Sequence, residues 1–166
     1  FRVWPINATL QGRALKPDGT GLSEAFVYAE GESPHVGYFE THARTDRFGY
    51  FRLVVPEGEY VVGAGLPPRV LEKRGWVNPR PIEGLVVAPD APVSGLRLRF
   101  RELDGRIDGT IRFASGLSVT PMSPAYVWAW SDDDERAETV ALTDTVDTFA
   151  YELDVLSGTV WHVGAV

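Results

Sequence analysis

The run Ala25-Phe26-Val27-Tyr28-Ala29-Glu30 is written again, one domain later, as Ala125-Tyr126-Val127-Trp128-Ala129-Trp130. The flanking landmarks repeat in the same order. Gln11-Gly12 returns as Asp108-Gly109, and Thr45-Asp46 as Thr143-Asp144. The alternating Phe51, Leu53, Val55 before Gly58 returns as Tyr151, Leu153, Val155 before Gly158, and Tyr60, Val62, Ala64 return as Trp161, Val163, Ala165. Matched landmarks are offset by roughly 97 to 101 residues, the size of one small domain. The chain therefore reads as two copies of one unit, with boundaries at 5–102 and 103–166.

Each copy reads as β structure. Apolar and polar residues alternate nearly everywhere, and no convincing amphipathic helix exceeds two turns. Seventeen glycines and 12 prolines punctuate the sequence at short intervals, as in antiparallel sandwiches. Strands are predicted near 8–14, 25–31, 37–45, 50–56, 60–66, 84–88 and 94–100, then near 106–113, 124–131, 138–144, 148–155 and 160–166. Lys16-Pro17-Asp18-Gly19 has strong turn chemistry, and Arg47-Phe48-Gly49 and Pro56-Glu57-Gly58 mark two tight reversals. Between Arg69 and Glu83 alternation fails. That stretch reads as a surface loop carrying Trp76, with a short helical turn at Val70–Arg74 as the less favoured alternative.

The two copies differ at their ends. The first closes with a strand, Leu96 to Phe100, that the second lacks, so the second sandwich is expected to be one strand short. Aligning Gly12 with Gly109 sets Phe1 and Val3 opposite Leu98 and Phe100, so residues 1–4 read as the tail of a closing strand from a preceding unit. A sandwich missing a strand exposes backbone polar groups and an apolar groove. Strand addition, from a downstream segment or from another copy, is expected to fill it. Phe1, Val3 and Trp4 are the candidate contacts, and a chain that begins with Phe1 reads as a processed subunit or a piece of something longer.

Composition narrows the function. A net charge of −7 argues against nucleic acid. Arg97, Arg99 and Arg101 alternate with Leu96, Leu98 and Phe100, which reads as a solvated strand face. No cysteine is present, which removes disulfides, thiol nucleophiles and the usual sulfur ligands of zinc and haem. No run is long and apolar enough for a membrane helix, so membrane insertion is not expected. His35, His42 and His162 lack metal-ligand spacing and read as surface residues. The serines sit in no Gly-x-Ser-x-Gly elbow and no His/Asp constellation. The carboxylates lie mainly in turns and at outward strand positions, where solvation explains them. No cofactor and no catalytic residue is expected. Asp132, Asp133 and Asp134 are weak calcium candidates, because their loop lacks the spacing of an EF-hand.

The aromatic row is the remaining feature. Alternation sets Tyr126, Trp128 and Trp130 on one strand face and Ala125, Val127 and Ala129 on the other. Glu30 at the position matching Trp130 suggests that the aromatic face leans to solvent, as an apolar strip of the kind that marks contacts. The other reading puts the same rings in the core, with the small residues outward.

Asp18-Gly19-Thr20-Gly21-Leu22 leading to Ala25-x-Val27, then Thr45-Asp46-x-x-Gly49-x-Phe51 and Pro56-x-Gly58-x-Tyr60-x-Val62-x-Ala64, resembles the carboxypeptidase regulatory-like domain, with Gly12 opening the first strand. The second copy keeps Gly109, Ala125-x-Val127, Thr143-Asp144 and Gly158, but Asp147 stands about where the turn glycine belongs. The resemblance implies a prealbumin-like, Ig-like sandwich, as in transthyretin and collagen-adhesin B-type repeats. It also implies non-catalytic modules of secreted or cell-surface proteins, often in tandem arrays. The internal Lys–Asn or Lys–Asp crosslink of some such repeats is not expected, since Lys16 and Lys73 lie in a turn and a loop and the second copy has no lysine. The expected fold class is therefore all-β, two tandem antiparallel sandwiches. The expected function is structural and adhesive at the cell exterior, with other copies or adjacent repeats as partners. The alternatives are a carbohydrate-binding module using Tyr126, Trp128, Trp130 and Trp76 on a polysaccharide, and an accessory domain of a secreted enzyme.

Overall fold

The computed structural model describes residues 5–112, 125–131, 136–141 and 148–166. Residues 1–4, with the candidates Phe1, Val3 and Trp4, and the loop with Asp132, Asp133 and Asp134 lie outside the described residues. The chain divides into two compact units, Phe1–Glu102 and Leu103–Val166.

The first unit is built from β1 (Ala8–Leu15), β2 (Phe26–Ser33), β3 (Gly37–Arg44), β4 (Tyr50–Val55), β5 (Gly58–Gly65), α1 (Pro68–Arg74), β6 (Trp76–Val77), β7 (Ile82–Val87), β8 (Val93–Arg99) and β9 (Arg101–Glu102). Two sheets face each other, ordered β4-β1-β8 and β3-β2-β5-β7. Strand alternation turns Leu10, Leu53, Val55 and Leu98 of one sheet and Val27, Ala29, Tyr60 and Val62 of the other into a single core. One pair departs from the antiparallel expectation: β8 runs parallel to β1. Its register shifts between Leu10 and Gly12, and Gly95 there takes a φ of 76°, the left-handed backbone that glycine adopts without strain. A Cβ on Gly12 would collide with the Leu96 backbone, so β8 can lie this close only against glycine.

The Thr45-Asp46-x-x-Gly49 motif has a specific mechanical basis. The buried Thr45 hydroxyl donates to the Leu22 carbonyl at 2.6 Å and accepts from the Ala25 N–H at 2.9 Å, pinning the loop that leads into β2. Asp46 Oδ1 accepts from the N–H groups of Phe48 and Tyr50 at 2.8 and 2.9 Å. Gly49 completes the reversal with a φ of 86°.

The stretch expected as a loop over 69–83 instead holds α1, which begins with Pro68 and ends on Gly75 in the left-handed conformation. Seven residues give too little periodicity to stand out in sequence. The helix is held by tertiary packing, since Leu71 sits against the core, and by proline at its start and glycine after its end. Beyond it, β6 pairs with β9 through Trp76 opposite Glu102 and Val77 opposite Arg101.

The second unit contains β10 (Gly105–Arg112), β11 (Ala125–Ser131), β12 (Arg136–Ala141), β13 (Thr148–Val155) and β14 (Trp161–Ala165). Its sheets are β12-β11-β14 and β10-β13, and Val127, Ala129, Leu153 and Val155 form its core. The repeat holds at the level of register. Gly12 pairs with Phe51 and Gly109 with Tyr151, while Val27 pairs with Ala64 and Val127 with Ala165. Among the described residues the counterpart of β8 is absent, and so is that of β7. At Gly109 the place that Leu96 fills beside Gly12 is taken by the Tyr151 ring, whose Oη stands 2.5 Å from where a Cβ would be.

Asp104 anchors the start of this unit. Its Oδ1 accepts from the Ser157 N–H at 2.7 Å and its Oδ2 from the Ser157 hydroxyl at 2.8 Å. These bonds favour the carboxylate and hold its pKa below the ordinary 3.8. A depressed carboxyl pKa contributes stability that is fully present above the unfolded value and is lost as pH falls through the folded one. Urea unfolding of wild type and Asp104→Asn across the acid range is expected to show wild type more stable above about pH 4, with the two curves converging as pH falls below it.

Candidate functional site

The strip on β11 points outward. Val127 and Ala129 are fully buried, while Tyr126 and Trp130 are 38% and 41% exposed and Trp128 is half-buried. This decides between the two readings of the strip.

Each indole lies down on its own sheet. Trp128 is paired with Gly164, and a Cβ on Gly164 would stand 2.7 Å from the indole Cε2. The first unit repeats this with Tyr28 lying across Gly63. In both units a glycine of one strand is thus roofed by an aromatic of the next. Trp130 stacks on His162, with ring centroids 5.5 Å apart and planes 24° apart. Each indole therefore has one face against the sheet, and the strip can offer flat stacking and apolar contact.

Trp76 lies on β6. It sits in the first unit, half-buried, with its ring centroid 6.4 Å from that of Phe100 and the Arg74 guanidinium 4.7 Å over its own. Both contacts occupy the ring, so Trp76 is not the open stacking platform expected from its place in a loop.

The second surface is the open edge of β14. The mutual hydrogen bonds of Tyr126 with Val166 fix which residues of β14 bond toward β11. By alternation Trp161, Val163 and Ala165 turn their N–H and C=O groups to the opposite edge, where among the described residues no strand lies. In the first unit the matching strand β5 carries β7 on that edge. The inward side chains follow suit: Val62 is fully buried, whereas its counterpart Val163 is 42% exposed. Sequence reasoning expected a missing closing strand but said nothing of this edge, because the absence of a β7 counterpart among the described residues is visible only once register is known.

His35 and His42 are exposed, and His42 stacks on Phe26 with centroids 5.1 Å apart. Among the described residues no three of His, Asp or Glu are grouped to hold a metal ion, and no helix is long and apolar enough to cross a membrane.

No family model matches the chain, and no curated protein matches it. Among solved structures it is similar to a mutant of the shaft pilin spaA from Lactobacillus rhamnosus GG, at 10% identity over 96% of this chain and 86% of that one, with a TM-score of 0.43. It is similar to a streptococcal ancillary pilin at 12% identity over 98% of this chain and 60% of that one, with a TM-score of 0.46. The Bacillus anthracis TIE protein is similar at 17% identity over 98% of this chain and 31% of that one, with a TM-score of 0.41.

Proposed function

We propose that this chain is a non-catalytic structural and adhesive module of the cell exterior. Its two prealbumin-like sandwiches serve as repeats of an array or as subunits of a head-to-tail filament, in which an added strand completes the second unit. The observation that carries this reading is the outer edge of β14, on which no strand lies among the described residues, with three backbone N–H groups turned outward and Val163 42% exposed. An edge with unpaired backbone groups beside half-covered apolar side chains is a template for strand addition. The motif residues from Asp18 to Ala64 support membership of the carboxypeptidase regulatory-like group.

Light scattering and electron microscopy of the purified chain, with and without Phe1 to Trp4, test this function. Assemblies that vanish on deletion support the N-terminal segment as the donor. Assemblies that persist remove it from that role, and a monomer in both cases leaves completion to an adjacent repeat.

The outward setting of Tyr126 and Trp130 favours a second reading, binding of a polysaccharide by stacking on the β11 strip. Affinity electrophoresis in neutral and acidic polysaccharides tests it. Retardation lost on Trp130→Ala supports it, and unchanged mobility of the wild type excludes it.

A further inference from the structure

The outer face of the β4-β1-β8 sheet carries charge of one sign. Its outward positions are Thr9, Gln11 and Arg13 on β1, Tyr50, Arg52 and Val54 on β4, and Arg97 and Arg99 on β8, with no Asp or Glu among them. Arg13 and Arg97 stand at paired positions. Arg52 is paired with Gln11, the next outward residue along β1. Like charges at such positions repel.

The arginines are committed to neutral acceptors. Arg13 Nε donates to the Phe48 carbonyl at 2.8 Å, Arg52 reaches the Thr9 hydroxyl at 3.4 Å, and Arg99 donates to the Pro17 carbonyl. A groove of about 920 Å³ lies here, lined by Arg13, Arg52 and Arg97 and, from the end of β3, by Arg44 and one carboxylate, Asp46. Asp46 Oδ1 already accepts two backbone N–H groups. The matching sheet of the second unit is balanced, with Arg106 3.2 Å from Glu152 and 3.5 Å from Asp154. A chain with net charge −7 has thus gathered four arginines on one face of one unit, of which only Arg99, beside Asp18, has a carboxylate partner outside the groove among the described residues.

The complementary surface is on the other side of the same unit. On the outer face of β3-β2-β5-β7, Glu30 is paired with Glu40 and Glu32 with Glu59. The Tyr38 hydroxyl stands 3.4 Å from Glu30 Oε2 and 3.2 Å from Glu40 Oε2 and donates between them. We propose that the arginine face of one copy docks on the glutamate face of a second copy of this chain. The contact goes beyond strand addition: it uses neither the edge of β14 nor the N-terminal segment.

Three strands at about 4.8 Å spacing give a face far smaller than the roughly 800 Å² per partner of a stable complex. The contact is therefore weak, salt-sensitive and additive along an array. Because it joins two different faces, it propagates instead of closing as a dimer.

The test is sedimentation velocity of the whole chain at about 20 mM and about 500 mM salt. Wild type is expected to associate at low salt and to disperse at high salt. Arg52→Glu/Arg97→Glu leaves the arginine face with two charges of each sign, and Glu30→Lys/Glu40→Lys does the same to the glutamate face, all four at exposed positions. Each variant alone is expected to associate at least about tenfold more weakly, and an equimolar mixture is expected to recover association. Recovery also shows that both variants are folded. A variant that associates as wild type does, or a mixture that stays dispersed, overturns the proposal. A wild type that stays monomeric at low salt yet binds dextran sulfate through Arg52 and Arg97 assigns the face to a polyanion and overturns it too. Association by strand addition would survive both charge reversals, which keeps the two readings apart.

Discussion

Replacing Phe100 with alanine is expected to lower the stability of the first unit by about 3–5 kcal/mol. Phe100 is fully buried, its ring packs against Trp76, and its N–H donates to the Leu15 carbonyl at 2.9 Å. It follows β8 directly and so holds the closing strand against β1. The loss combines the transfer energy of the ring with the cavity it leaves, and it is a large share of the 5–15 kcal/mol typical of a domain. Guanidinium unfolding followed through assigned methyl signals of Leu10 and Val62 should show an earlier midpoint. Phe100→Leu, which fills most of the volume, should lose much less.

Thr45→Val should cost about 2–4 kcal/mol, although it preserves shape. The substitution leaves the Leu22 carbonyl and the Ala25 N–H, which now share the Thr45 hydroxyl, without a partner in a buried site. Thr45→Ser keeps both bonds and loses only a methyl group, so it should stay within about 1.5 kcal/mol of wild type. A Val variant as stable as the Ser variant would show that the hydroxyl bonds contribute nothing net. Thermal melts of the three chains make the comparison.

Thr45 also marks where sequence stops being sufficient. Its place in Thr-Asp-x-x-Gly was legible as a motif, and Gly49 as the turn residue. That the hydroxyl bridges Leu22 and Ala25 depends on a loop 20 to 23 residues away. The strands themselves were legible because alternation survives in nearly every one, and the repeat matched Val27 with Val127 and Ala64 with Ala165, residues that the structure pairs in the same way in each unit. Helix α1 was legible only as the less favoured alternative at Val70–Arg74, since Leu71 holds it by packing on a distant core and not by propensity. The parallel course of β8 was equally hidden, because it depends on how the chain crosses from one sheet to the other after β7. The outward setting of Tyr126 and Trp130 rested on the analogy with Glu30 and needed the burial of Val127 and Ala129 to decide it. Trp76 shows the converse error, a tryptophan placed in a loop by sequence and found packed between Phe100 and Arg74. The arginine face combines both cases: spacing puts Arg97 and Arg99 together, but only register brings Arg13 and Arg52 beside them.

The account turns on the edge of β14 that no strand covers among the described residues, and amide hydrogen exchange reads that edge residue by residue. The N–H groups of Trp161, Val163 and Ala165 face away from β11. At dilution, where the chain is dispersed, they should exchange quickly, while those of His162 and Gly164, bonded toward β11, exchange slowly. As concentration rises and assemblies form, Trp161, Val163 and Ala165 should become protected together. Rapid exchange of these three in the assembled form, or full protection already in the dispersed chain, would contradict completion by an added strand.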